Sequence, residues 1–296
     1  MELFLTVCVS SLTLGLLYAL FATGMGLVLR TSGELNLAHG DSLMLATYVG
    51  LGTVHLTDVR SVAVLATVAS AAAIGMAVYL AIYAPVAHHQ RAGIVGLGFL
   101  PAFGVALIVR NIAVEINPAG SEKFPSLFAG DPTNLFGDYQ LPAAGWWILA
   151  AGILVPIGLA LYLRNGVAGQ RMRAVADDQV LARLAGIPVT RTLASSYAIA
   201  GAVGGLAGAL FASFFGQIFI SLGWQATLKG FVAAVLGGIS WVRGAVIGGI
   251  VLGTAESFVS AYVSTRLKDV VTFLLLIGVM LVAPRGVLAA GRLRQA

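Results

Sequence analysis

Glu34, Asn36, His39 and Asp41 crowd into one short run, RTSGELNLAHG from Arg30 followed by Asp41, which interrupts an otherwise apolar region from Leu3 to Val54. Side chains of these types, with glycine (Gly40) exposing backbone beside them, can replace water around a polar solute or gate its passage. A charged group at the centre of a bilayer costs roughly 3 kcal/mol on insertion scales, so it is normally placed there for a reason. The competing reading is an interfacial loop in which Glu34 and Asp41 are simply solvated. His39 could serve a proton relay, but no chain of further carboxylates accompanies it. Glu256, in VLGTAESFVSAYVS with Ser257, Ser260 and Ser264, is an intramembrane carboxylate and a pathway residue by the same default. Its competing reading is a structural ion pair, with Arg110 as one candidate partner. Arg110 and Asn111 end an apolar segment, where snorkelling to the interface is the default.

Other chemistries are poorly served. Cys8 is the lone cysteine, so neither a disulfide within the chain nor a cysteine-based metal site can form. His39, His55, His88 and His89 lack metal-ligand spacing. No G-x-x-x-x-G-K-[ST] run is present, which excludes phosphate binding in the P-loop manner. The net charge of +5 sits mostly in short loops, where it reports topology rather than nucleic-acid binding. No cofactor and no metal are expected, and no catalytic residue.

The elements that must position these side chains follow from composition. Of 296 residues, 59% are hydrophobic and 10% charged, against about 25% charged in soluble domains. The mean hydropathy is +0.95. Long apolar runs without alternation predict an all-α, polytopic membrane bundle rather than a β-barrel. Apolar segments stand at 4–29, 36–54, 61–84, 94–113, 143–163, 192–216, 225–240, 244–263 and 269–284. Several are shorter than the roughly 20 residues a crossing needs, so eight to ten spans are expected. The first run is too long for a signal-peptide core and is read as retained. The whole of 1–296 is read as one transmembrane domain. Arg164, Arg171, Arg173, Arg183 and Arg191 place the loop 164–191 in the cytoplasm, and Arg285, Arg292 and Arg294 do the same for the tail. The loop 114–142, with Glu115, Glu122, Asp131 and Asp138 against Lys123 alone, should lie outside. Counting back puts Val86–Arg91 inside and the N-terminus outside.

Two glycine-bearing interruptions, Arg30–Gly40 and Leu236–Gly249, fall one in each half of the chain. Such a pair points to broken helices along a transport pathway between inverted repeats; both are otherwise short loops between spans. Gly201/Gly205, Gly204/Gly208, Gly244/Gly248 and Gly249/Gly253 recur at a spacing that lets helix backbones approach closely. Trp146, Trp147, Trp224 and Trp241 near segment ends suit an aromatic belt. The polar segment Arg171–Arg191 reads as one short helix. Ala176, Val180, Leu184 and Ile187 form its apolar stripe, and Gly186 with Pro188 makes a sharp exit. In the cytosol such a helix either lies on lipid or docks in a protein groove. The pair Asp177–Asp178 disfavours an anionic lipid surface.

Three blocks together resemble the permease subunits of bacterial branched-chain amino acid ABC importers. Leu14–Val49 carries the N-[FL]-A-H-G-[DE] pattern as Asn36–Leu37–Ala38–His39–Gly40–Asp41. Gly169–Gly208 carries A-x-x-x-D…A-x-x-x-G-I as Ala174, Asp178, Ala182, Gly186 and Ile187. Lys229–Gly286 carries KGFVAAVLGGI, GAVIGGIVLGTAES, KDVVTFLLL and APRGVL. The resemblance implies a non-enzymatic transport subunit of the bacterial cytoplasmic (inner) membrane. Its partners would be cytoplasmic ATP-binding subunits, a second and often non-identical permease, and a periplasmic solute-binding protein. Asn36, His39, Gly40, Asp41 and Glu256 would line the solute path. Ala174, Asp178, Ala182, Gly186 and Ile187 would belong to a coupling helix seated in the ATPase, with Ala182 and Gly186 allowing close packing. The sequence departs from the wider ABC class in having Val175 and Ala176 where a glutamate is common, and from close relatives in the weakly basic loop Ala84–Arg91. Leucine, isoleucine and valine are the expected solutes, with urea or short amides as the alternative and an ion-coupled secondary transporter as a more distant one.

Overall fold

A computed structural model describes residues 2–85, 98–136, 139–238 and 242–282. Every apolar segment of the sequence becomes a helix there: α1 Glu2–Ser32, α2 Ala38–Thr57, α3 Arg60–Val78, α4 Phe99–Ile116, α5 Ala143–Asn165, α8 Val189–Phe215, α9 Leu222–Gly237, α10 Val242–Tyr262 and α11 Lys268–Val282. Two further helices, α6 Val167–Asp177 and α7 Gln179–Leu184, occupy the polar insert. Helices α1, α3 (extended by a π-turn to Tyr83), α5, α8 and α10 are long and apolar enough to cross a membrane. The chain is an all-α, multi-pass membrane bundle. Val86–Arg91, the arginine-bearing tail, Asp138, Trp241 and part of Leu236–Gly249 lie outside the described residues.

The bundle closes around α1. Leu17, Leu20 and Phe21 of α1 meet Leu43 of α2, Leu210 of α8, Val232 of α9 and Leu252 of α10 in one core. A second cluster joins Leu27 and Val28 to Tyr197 of α8, Met172 and Val175 of α6 and Ala182 of α7. Lipid tails are as apolar as leucine, so helices inside a membrane gain little from hiding hydrophobic surface and depend on close backbone packing. The paired glycines supply it, each pair facing a different neighbour. A Cβ on Gly201 or Gly205 would strike Ala71 of α3, and one on Gly208 would strike Thr47 of α2. Gly248 lies on Ala233 of α9, while Gly249 and Gly253 lie on Ala19 and Gly15 of α1. All of these contacts are within the chain.

Short strands close one end of the bundle. β1 Ser121–Lys123 pairs antiparallel with β4 Gln217–Phe219, and β2 Thr133–Phe136 pairs with β3 Tyr139–Leu141. Trp146 and Trp147 tie down the same end, donating to Thr133 Oγ1 and the Ala129 carbonyl. At the far end of α8, α6 and α7 pack beneath the end of α1, where Gln179 donates to the Ser32 carbonyl at 3.4 Å. The segments 114–142 and 164–191 therefore lie at opposite ends of α8, as the charge asymmetry requires.

The insert differs from the single amphipathic helix expected for Arg171–Arg191. Asp178 leaves helical geometry and accepts from the Val180 and Leu181 amides at 2.7 and 2.9 Å, ending α6 and starting α7. An Asp N-cap of this kind fills orphan donors that otherwise face water. Gly186, at φ +78°, lets the Ile187 amide return to the Ala182 carbonyl and closes the short helix.

Candidate functional site

The connector 33–37 is neither solvated nor interfacial at its far end. Gly24 stands about 12 Å up α1 from Ser32 at the α-helical rise, and a Cβ on it would come within 3.0 Å of His39 Nε2. The chain thus climbs back into the bundle before α2 begins, and Asn36, His39 and Asp41 are buried. A helix start at that depth has amides with no water to bind. Asn36 Oδ1 accepts from the Ala38 amide at 3.1 Å, and Thr227 Oγ1 of α9 accepts from the Gly40 amide at 3.0 Å. Thr227 also donates to the Leu37 carbonyl at 3.3 Å. Gly40 is required by close approach, since a Cβ would overlap the Gly223 carbonyl. The beginnings of α2 and α9 therefore meet inside the bundle. Tyr83, in the π-turn that ends α3, steadies the connector by donating to the Leu35 carbonyl at 3.2 Å.

Asp41, with a side chain 1% exposed, forms an ion pair at 3.3 Å with Arg110 of α4, whose guanidinium lies 5.8 Å from the Trp224 ring. The solvated reading of Asp41 is thereby excluded, and one expectation is corrected: Arg110 does not snorkel away from the bundle but turns into it, with Trp224 as the face under its cation. His39 fills the notch between Gly24 and Gly204, and its Nε2 has no hydrogen-bond partner among the described residues.

Glu256 is likewise in an ion pair, but not with Arg110. Its oxygens lie 2.8 and 2.7 Å from Lys229 Nζ of α9 and accept from the Tyr18 hydroxyl at 2.7 Å and from the Thr272 hydroxyl. Lys229 and Glu256 side chains are 6% and 3% exposed, and Asp269 adds a second carboxylate 3.5 Å from the ammonium. Arg110 was the wrong partner because Asp41 lies nearer to it in the folded bundle, a matter of helix placement that spacing alone does not encode. Lys229 itself was legible. It is an ionisable residue in an apolar segment, the same signal that singled out Glu256, whereas Tyr18, Thr227 and Thr272 carry no comparable mark.

The ion pair forms the floor of a cavity of about 600 Å³. Its walls come from the first half of α1, the ends of α8 and α10, β4 and the start of α9, and they include Phe211, Phe215, Phe219 and Gln225. The lining reaches the strand-bearing end, at Leu3, Gln217 and Phe219, and includes no residue of α6 or α7. The predicted pathway residues thus divide. Asn36, His39, Gly40 and Asp41 form the junction between α2 and α9, and of the five only Glu256 lines the cavity. Helix α9 links the two places, with Thr227 facing the junction and Lys229 the cavity.

At the other end of the bundle, Val180, Leu181 and Leu184 are 68%, 63% and 79% exposed. Ala182 is buried against its own chain, so the close packing it provides is internal. Ala174 and Ile187 are half-buried, and Asp178 and Gly186 are exposed and shape the turn.

A family model described as "Branched-chain amino acid transport system / permease component" matches residues 7–280. The chain belongs to this permease family. The permease protein LivH of the high-affinity branched-chain amino acid transport system of Salmonella typhimurium is 34% identical over 96% of this chain and 95% of its own. LivH of Escherichia coli K12 is 33% identical over the same shares. The corresponding permease protein BraD of Pseudomonas aeruginosa is 31% identical over 95% of this chain and 94% of its own. No solved structure gives a significant match.

Proposed function

We propose that this permease is the membrane subunit of an ATP-driven importer for amino acids with branched aliphatic side chains, with 1–296 acting as one transmembrane domain and 164–191 as its coupling loop. The observation that carries the reading is the pairing of two opposed features. A cavity with a charged floor reaches one end of the bundle, and a capped, apolar-faced helix, α7, stands out at the other. A leucine-rich face on a polar, arginine-bearing insert is suited to the groove of a soluble partner, and the relatives' transport systems supply the solute class. On this reading α7 seats in a cytoplasmic ATP-binding subunit through Val180, Leu181 and Leu184, with Ala174, Asp178, Ala182, Gly186 and Ile187 fixing its shape. A periplasmic binding protein delivers solute to the strand-bearing end, and a second permease completes the path across the bacterial cytoplasmic membrane.

ATP hydrolysis moves α7, and the glycine-packed bundle switches between two arrangements rather than deforming continuously. Nucleotide and solute bias that switch only through unequal affinity for the two states. An ion-coupled carrier would want a carboxylate free to take its ion, whereas Asp41 and Glu256 both hold cationic partners. Purification of the tagged permease from native membranes should bring an ATP-binding subunit with it, and vanadate should abolish leucine uptake. Uptake that continues on an ion gradient after hydrolysis is blocked would overturn the proposal.

A further inference from the structure

We infer that the Lys229–Glu256 pair is the charged half of a solute subsite, one that opens to take a zwitterion and recloses when it leaves; this rests on the reading of the chain as an amino-acid permease. The argument begins with charge. Both groups are buried, and each is the other's main partner. An uncharged solute entering between them would leave Glu256 without its cation and Lys229 with only the more exposed Asp269, and a singly charged one would rematch only one of the two. A zwitterion rematches both, its ammonium taking Glu256 and its carboxylate taking Lys229, which it shares with Asp269, 3.5 Å from the lysine ammonium. The total charge of the floor is unchanged by the exchange.

One wall of the cavity suits an aliphatic side chain, while Gln217, Gln225 and Lys268 line it elsewhere. Phe211 packs against Phe215 and, edge to face, against Phe219, with ring centroids 4.5 and 5.7 Å away, and all three line the wall. A volume of about 600 Å³ lies within the usual range of small-molecule sites. An independent sign comes from Ser257, which follows Glu256 and lines the same cavity. It is 7% exposed, yet its Oγ has no hydrogen-bond partner among the described residues. Buried hydroxyls are normally satisfied, and a bound ammonium or carboxylate would satisfy this one.

The test uses the complete transporter in proteoliposomes, with radiolabelled leucine and its binding protein supplied outside. The double variant Lys229→Met with Glu256→Met removes both charges without stranding either. It should still co-purify with the ATP-binding subunits while leucine uptake falls roughly ten-fold or more, the loss expected when charge-assisted hydrogen bonds to a bound ion are removed. A second measurement stands apart from assembly: with Cys8→Ser as background, leucine should slow alkylation of Ser257→Cys by N-ethylmaleimide. Uptake by the double variant at the wild-type rate, or no protection of Ser257→Cys by leucine, overturns the subsite while leaving the permease reading intact. Wild-type transporter that takes up no leucine would instead remove the solute reading, and the subsite with it.

Discussion

Leu184→Asp is the most direct probe of the proposed docking of α7 on an ATP-binding subunit. Leu184 is 79% exposed and stands on a helix held at both ends, by the Asp178 cap and by the Gly186 turn. Its side chain is therefore available to a partner without any rearrangement of the chain. Full burial of a leucine side chain is worth about 1.5–3 kcal/mol, and most of that is unspent in the lone subunit. Replacing it by a carboxylate forfeits the burial and places a charge against an apolar groove. A loss of about 2 kcal/mol corresponds to roughly thirty-fold in affinity. The bundle should lose little, since Leu184 is exposed and a carboxylate in the last turn of a helix costs about 0.3–1 kcal/mol. The assay is titration of purified ATP-binding subunit onto permease in nanodiscs, read by fluorescence anisotropy, alongside thermal unfolding of the permease alone. Affinity unchanged within about two-fold, with the variant normally folded, would refute the docking role of α7.

The buried ion pair should show strong thermodynamic coupling: Lys229→Met alone leaves Glu256 with only two hydroxyl partners and should destabilise the permease by about 3–5 kcal/mol, whereas the double methionine variant should be near neutral. A denaturation cycle in which the two single losses simply add would contradict the pair as described. Sidedness is open to labelling with a membrane-impermeant maleimide on intact cells, in a Cys8→Ser background. Lys123→Cys should react from outside and Arg183→Cys only after lysis, and the reverse pattern would invert the topology.

Much of this architecture is written in local chemistry. Among the described residues each of the nine apolar runs holds a helix because, without water, a backbone must satisfy its own hydrogen bonds, and helices do so within the segment. Glycines four apart marked contact faces because only the absence of Cβ permits such approach, and a cluster of arginines in one loop and their scarcity in another set the two ends apart. Glu256 drew attention because a carboxylate in an apolar run needs compensation. What the chain could not reveal locally is which cation compensates which carboxylate. Asp41 with Arg110 and Glu256 with Lys229 are choices made by the placement of α4, α9 and α10, between residues far apart in sequence. The capping of α2 by Thr227 is of the same kind, since it exists only because α9 starts beside α2. Periodicity and composition describe one helix at a time, so they determined the helices, the two ends and the class of protein. Coulombic pairing and the shape of a cavity are properties of several helices at once, and only their packing decided those.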